Sequence, residues 1–141
     1  MVSKLMRRAL EEMNETLLLS VALEELAEVH EGGCVAFDLD GTLAHYDGWK
    51  GEMHIGDPIP KMVERWKAYR DKGVKCIIFT ARYSEDPAKE MAVKQIQAWA
   101  HQHLGEIPDI TNEKTPNIVR IYDDRARQII ENTGDVVGEQ T

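Results

Sequence analysis

Two carboxylates, Asp38 and Asp40, stand one residue apart at the end of the apolar run Val35-Ala36-Phe37, and Gly41-Thr42 follows at once. A buried strand delivers its last side chains to the C-terminal edge of a sheet, where open α/β sheets place their ligands. Acids released together there repel each other unless a cation lies between them. An all-oxygen pair suits Mg²⁺, which takes carboxylate and water ligands. The same arrangement makes a carboxylate nucleophile whose charge is balanced by metal, with a second carboxyl near enough to move a proton.

Other chemistry-bearing residues follow later strand-like runs. Ile77-Ile78-Phe79 leads into Thr80, with Ala81 and Arg82 next. Lys114 precedes the run at 118–122, and Asp123-Asp124 succeeds it. If the strands are parallel, these residues meet at one edge as acids, a hydroxyl and a lysine around one crevice. Each has work in phosphoryl transfer, where positioning and charge stabilisation dominate. Arg82 is suited either to grip a phosphate with its fork or to pair with an acid.

The elements that must hold them are well punctuated. Strand-like runs occur at 34–38, 74–79 and 118–122, with weaker ones near 107–111 and 135–137. Asp57-Pro58 opens a helix closed by Gly73, and Asp86-Pro87 opens another closed by Gly105, using the Pro-first, Gly-last signals of helix ends. A short last helix is expected from about Arg125 to Asn132, with one of the two preceding aspartates capping it. Strands alternating with helices imply an α/β fold: a Rossmann-like, three-layer parallel sheet wrapped by helices.

Residues 3–30 read as an amphipathic helix, with Met6, Leu10, Met13 and Leu17 on one stripe and Leu19, Leu23 and Leu26 on the next. Unbroken, it would be ~40 Å long. The expected partner of its apolar stripe is the rest of the domain or a second copy of the chain. The division is therefore a helical segment over 1–33 and a catalytic domain over 34–141.

At 141 residues with 43% hydrophobic and 30% charged residues, the composition is that of a single globular domain. A net charge of −8 argues against general nucleic-acid binding, which depends on neutralising phosphates with Lys and Arg. Cys34 and Cys76 form no Cys-x-x-Cys pair and read as buried free thiols. The apolar run Leu17–Leu23 is too short to span a bilayer, and no cleavage-site pattern follows it. A cytoplasmic location with no membrane partner is expected. His101 and His103 lie two apart on a helix, face different ways, and make a poor metal pair.

Asp-Leu-Asp-Gly-Thr at 38–42, Thr80, Lys114 and Asp123-Asp124 resemble, in order, the four motifs of the haloacid dehalogenase superfamily of phosphohydrolases. The likeness runs from residue 34 to about 130. The stretch Ile-Tyr-Asp-Asp-Arg-Ala looks most like capless bacterial and phage members, including the 3′-phosphatase half of phage polynucleotide kinases.

The resemblance implies a Mg²⁺-dependent phosphomonoester hydrolase working through an aspartyl-phosphate. Asp38 would attack phosphorus, and Asp40 would protonate the leaving oxygen and then activate water. Thr80 would bind a phosphoryl oxygen, and Lys114 would hold the phosphate. Leu39, Ala81 and Arg82 would line the substrate. Asp38, the backbone carbonyl of Asp40, and Asp123 or Asp124 would ligate the metal. Asp40 itself marks the phosphatase branch, because a dehalogenase has no leaving alkoxide to protonate. The chain departs from the commonest pattern in having Asp-Asp-Arg at the fourth motif and Lys114 on a loop.

Residues 43–57 are too short for a cap domain and are expected to form a mobile flap, carrying Tyr46, Trp49, Met53 and His54 among glycines. His54 and Trp49 read as packing residues before specificity residues. The substrate implied is a nucleotide, a nucleic-acid end or another phosphorylated metabolite. Two competing functions share these motifs: a non-catalytic binding protein with the same fold, and a phosphotransferase whose acceptor is not water. The first has no physical need of a self-repelling acid cluster.

Overall fold

A computed structural model describes residues 32–51, 53–82 and 88–139. Its elements are β1 (Cys34–Phe37), α1 (Pro60–Asp71), β2 (Lys75–Phe79), α2 (Ala88–Leu104), β3 (Ile110–Thr111) and β4 (Ile118–Tyr122). The four strands form one sheet in the order β3-β2-β1-β4, with every neighbouring pair parallel. β1 is central and wholly buried, as its unbroken apolar sequence requires of a strand covered on both faces. It pairs with β2 from Cys34–Lys75 to Phe37–Ile78, and with β4 through Val35–Arg120 to Phe37–Tyr122, with a register shift after Cys34.

Alternation of side chains divides the sheet's two faces. Val35, Phe37, Cys76 and Ile78 join Trp66 and Tyr69 of α1 and Ile96, Trp99 and Leu104 of α2 in the main core. Cys34, Ala36 and Ile77 point the other way, with Phe79, Ile118 and Ile121 beside them. Both described helices therefore lie on one face. The result is an α/β architecture of two described layers. The helical segment expected over 1–33 lies outside the described residues, except for Gly32 and Gly33, and so does the Asp86-Pro87 start of the second helix.

Aromatic contacts and a few directed hydrogen bonds fix the helices. The Phe37 ring lies 5.0 Å from both Trp66 and Tyr122, and the Tyr69 and Tyr122 hydroxyls hydrogen-bond to each other. Trp66 Nε1 donates to Glu106, and Arg70 donates to the Leu104 carbonyl at 2.6 Å, tying α1 to the end of α2. Both cysteines are buried free thiols, and burial pushes the Cys76 thiol up to about 12, which rules it out as a nucleophile near neutral pH. No described helix is long and apolar enough to cross a membrane.

The structure corrects three sequence boundaries. The first helix begins at Pro60, with Ile59 as its cap, and not at Asp57-Pro58. Pro58 instead bridges Ala44, flanked by bonds from His45 N–H to Asp57 O (2.8 Å) and from Ile59 N–H to Leu43 O (2.8 Å). That pairing asks nothing of the residue directly opposite Ala44, so proline's missing N–H costs nothing there. The expected helix at 125–132 and strand at 135–137 are replaced by a small antiparallel reversal with an Ile129–Val136 bridge. Ile130 N–H bonds Asp135 O and Val137 N–H bonds Gln128 O, each at 2.8 Å, while Asn132 (φ 64°) and Gly134 (φ 80°) turn the chain. β-branched residues on both arms and an Asn-Thr-Gly turn favour this over a helix.

Gly56 leaves no room for a side chain where its segment packs against His45 and Trp99. A Cβ there would sit 2.0 Å from the His45 carbonyl oxygen, whose backbone is already paired with Asp57, and the Gly56 carbonyl accepts from Trp99 Nε1 at 2.9 Å. Gly56→Ala is expected to lose about 2 kcal/mol or more of stability, measured by urea unfolding. An unchanged midpoint would show that the segment is not held as described.

Candidate functional site

The sheet's ladder runs one residue past β1, since Asp38 N–H bonds the Tyr122 carbonyl at 2.9 Å. This fixes Asp38 beside Asp123 at the C-terminal edge. Beyond it the chain turns sharply: the Leu39 carbonyl accepts from Leu43 N–H (3.0 Å) and Ala44 N–H (2.9 Å), and Gly41 takes φ +87°. Leu39 points back into the core and is fully buried. β1 and β4 are neighbours, while the chain leaves β1 toward β2 on the other side. The edge between them is thus the switch point at which such sheets bind ligands.

Asp38, Asp123 and Asp124 each place one carboxylate oxygen within 4.8 Å of the other two. Gly41 makes room for this, since a Cβ there would lie 2.7 Å from Asp124 Oδ2. Thr42, buried beneath, accepts the Asp124 backbone N–H at 3.1 Å, and its hydroxyl lies 3.4 Å from Asp38 Oδ2 and 3.3 Å from Asp124 Oδ1. With a single proton it can donate to only one of the two. Burial, then the hydrogen bond that a protonated Asp38 donates to Asp124, then the charges of Asp123, Asp124 and Asp40 push the Asp38 carboxyl from an ordinary 3.8 to about 7. Three hard oxygen donors repelling one another are a donor set that fits a divalent cation of the Mg²⁺ type. Asp123 Oδ1 also accepts Arg125 N–H at 2.8 Å, so the expected cap exists as a local turn, without the helix.

Asp40 is not one of these three. Both its oxygens are held by Arg82, Nε to Oδ2 and Nη2 to Oδ1, each at 2.7 Å. Of the two roles open to Arg82, pairing with an acid is the one seen. Thr80 is buried at the end of β2, and its hydroxyl accepts Arg82 N–H at 3.1 Å. Asp38, Asp40, Thr80, Ala81 and Arg82, with Asp123 and Asp124, wall a crevice of about 550 Å³. Tyr46, Trp49, Phe79, Asn112 and Arg125 also line it.

Two expected residues stand apart. Leu39 could meet a ligand only through its backbone, given its buried side chain. Lys114 is exposed and is not among the lining residues. The six residues 112–117 must run from the C-terminal end of β3 to the opposite edge, where Asn117 O accepts Cys34 N–H at 2.8 Å. Thr42 and Asn112 carried no assigned role in the sequence. Thr42 could have been found, as the hydroxyl closest in sequence to the paired acids. Asn112 has no comparable signal. Trp49, expected to pack, stands on the crevice wall with Tyr46 of the same segment.

No family model, curated protein or solved structure matches this chain.

The Asp38 shift has a thermodynamic consequence. A carboxyl whose folded pKa is raised stabilises the fold fully below about pH 4, and that contribution is lost as pH rises through about 7. The metal-free protein is expected to melt on the order of 5 °C lower at pH 8 than at pH 5, with Mg²⁺ restoring most of the difference. Asp38→Asn should flatten both effects. Scanning calorimetry that finds the wild type and this variant equally pH-sensitive would contradict the carboxylate crowding.

Proposed function

We propose that this chain is a Mg²⁺-dependent phosphomonoester hydrolase of the haloacid dehalogenase type, with a Rossmann-like domain and no cap, acting through Asp38. The observation that carries the reading is that Asp38 belongs both to the three-carboxylate cluster and to the wall of an open crevice. One of its oxygens can therefore be occupied by a cation while the other faces a substrate. A cation held by Asp38, Asp123 and Asp124 would offset the charge of the carboxylates and of the phosphoryl oxygens.

Asp38 attacks phosphorus in line, and the bond from phosphorus to the leaving oxygen breaks. Asp40 gives that oxygen a proton, so the product leaves as an alcohol. Water then attacks phosphorus of the aspartyl-phosphate, Asp40 takes its proton, and inorganic phosphate departs with Asp38 regenerated. Thr80 holds a phosphoryl oxygen, aided by the backbone after β2. Arg82 and Arg125 are the cations on the crevice wall, and Arg82 is the one that grips Asp40. Thr42 positions Asp38 against Asp124. The substrate is a nucleotide, a nucleic-acid end or another phosphorylated metabolite.

Phosphate release from a panel of such monoesters is expected to require Mg²⁺ and to stop with chelator. Asp38→Asn should lower it by about 10³-fold or more, whereas Asp123→Asn should mainly raise the Mg²⁺ concentration needed, by about tenfold. Turnover that survives Asp38→Asn would refute the reading.

A further inference from the structure

Arg82 is committed in three directions at once. Its fork takes both oxygens of Asp40 at 2.7 Å, Nη2 also donates to the His54 carbonyl at 2.8 Å, and its Cζ lies 5.0 Å from the centroid of the Trp49 ring. Its side chain is only 5% exposed. A single guanidinium thus joins the loop carrying Trp49 and His54 to an acid that the proposed reaction needs at the leaving oxygen. Held by the fork through both oxygens, Asp40 is fixed against Arg82 and is not free to turn toward that oxygen. Something entering the crevice must take the fork away, and a phosphoryl group offers the same bidentate geometry with greater charge.

We propose that Arg82 is a latch opened by the ligand: its fork passes from Asp40 to the phosphoryl oxygens, which turns Asp40 toward the leaving group and loosens the Trp49–His54 loop. The exchange rests on reading the crevice as a phosphoryl site, and it needs no turnover. Asp40 and phosphate compete for one cation, so each weakens the other's hold on it. Trp49 reports the exchange, since it is 55% exposed while Trp66 and Trp99 are buried. As a positioning residue, Arg82 couples binding of the phosphoryl group to placement of Asp40.

The test is calorimetric titration of inorganic phosphate into the full chain with saturating Mg²⁺, followed also by tryptophan emission. Arg82→Ala is expected to weaken phosphate by about tenfold or more, with Arg82→Lys, which keeps the charge and loses the fork, in between. Asp40→Asn is expected to tighten phosphate by about threefold or more, and that gain should vanish in the Arg82→Ala/Asp40→Asn double variant. Phosphate should shift the emission of the wild type and leave that of Arg82→Ala and Trp49→Phe unmoved. An equal gain from Asp40→Asn in both backgrounds would mean that Asp40 merely repels phosphate through space, and would overturn the latch. Wild-type affinity in both Arg82 variants, or no phosphate binding by the wild type, would overturn it too. Hydrolysis is judged separately by Asp38→Asn, so either reading can fail without the other.

Discussion

Crowding of three carboxylates at one sheet edge is the constraint around which the described fold is arranged. Asp38, Asp123 and Asp124 come within 4.8 Å of one another because β1 and β4 are paired in register up to Phe37–Tyr122, so the residues that follow emerge side by side. Like charges at that distance oppose folding, and burial of Asp38 adds to the cost. The surrounding chain offsets it locally. Gly41 removes the side chain that would strike Asp124, and Thr42 supplies a hydroxyl between two acids and accepts the Asp124 N–H. A cluster so supported is positioned with more care than a solvated turn requires.

The main core supplies the rigidity. Trp66, Tyr69 and Phe37 are fully buried, and Phe37 is the residue immediately before Asp38. Tyr122, stacked on Phe37, immediately precedes Asp123. The two acid-bearing strand ends are therefore anchored by the same aromatic stack, with the Tyr69 hydroxyl bonded to that of Tyr122. Of the two arginines on the crevice wall, Arg82 joins the edge of β2 to the loop after β1 through its bonds to Asp40 and His54 O, and Arg125 follows the acids after β4.

Much of this was readable from residue types. Apolar runs located β1 and β2, and a run broken by Arg120 located β4; the acids after β1 and β4 and the hydroxyl of Thr80 after β2 marked the edge they share. Glycine marked the helix ends at Gly73 and Gly105, also a local signal. What was not legible depends on contacts distant in sequence. The Ala44–Pro58 bridge moved the start of α1, and the reversal at 129–136 replaced a helix whose periodicity was short and weak. Whether Arg82 would meet an acid or a phosphate was open in the sequence, since its fork fits both; the geometry puts it on Asp40.

The central claim is that Asp38 carries the phosphoryl group, and chemical trapping addresses it most directly. The protein would be mixed with Mg²⁺ and acetyl phosphate or p-nitrophenyl phosphate, quenched, and reduced with borohydride, which converts an aspartyl-phosphate to homoserine. Peptide mass spectrometry is then predicted to find homoserine at position 38, dependent on Mg²⁺ and on the donor. Homoserine at another aspartate, or donor hydrolysis with Asp38 unmodified, would contradict the account.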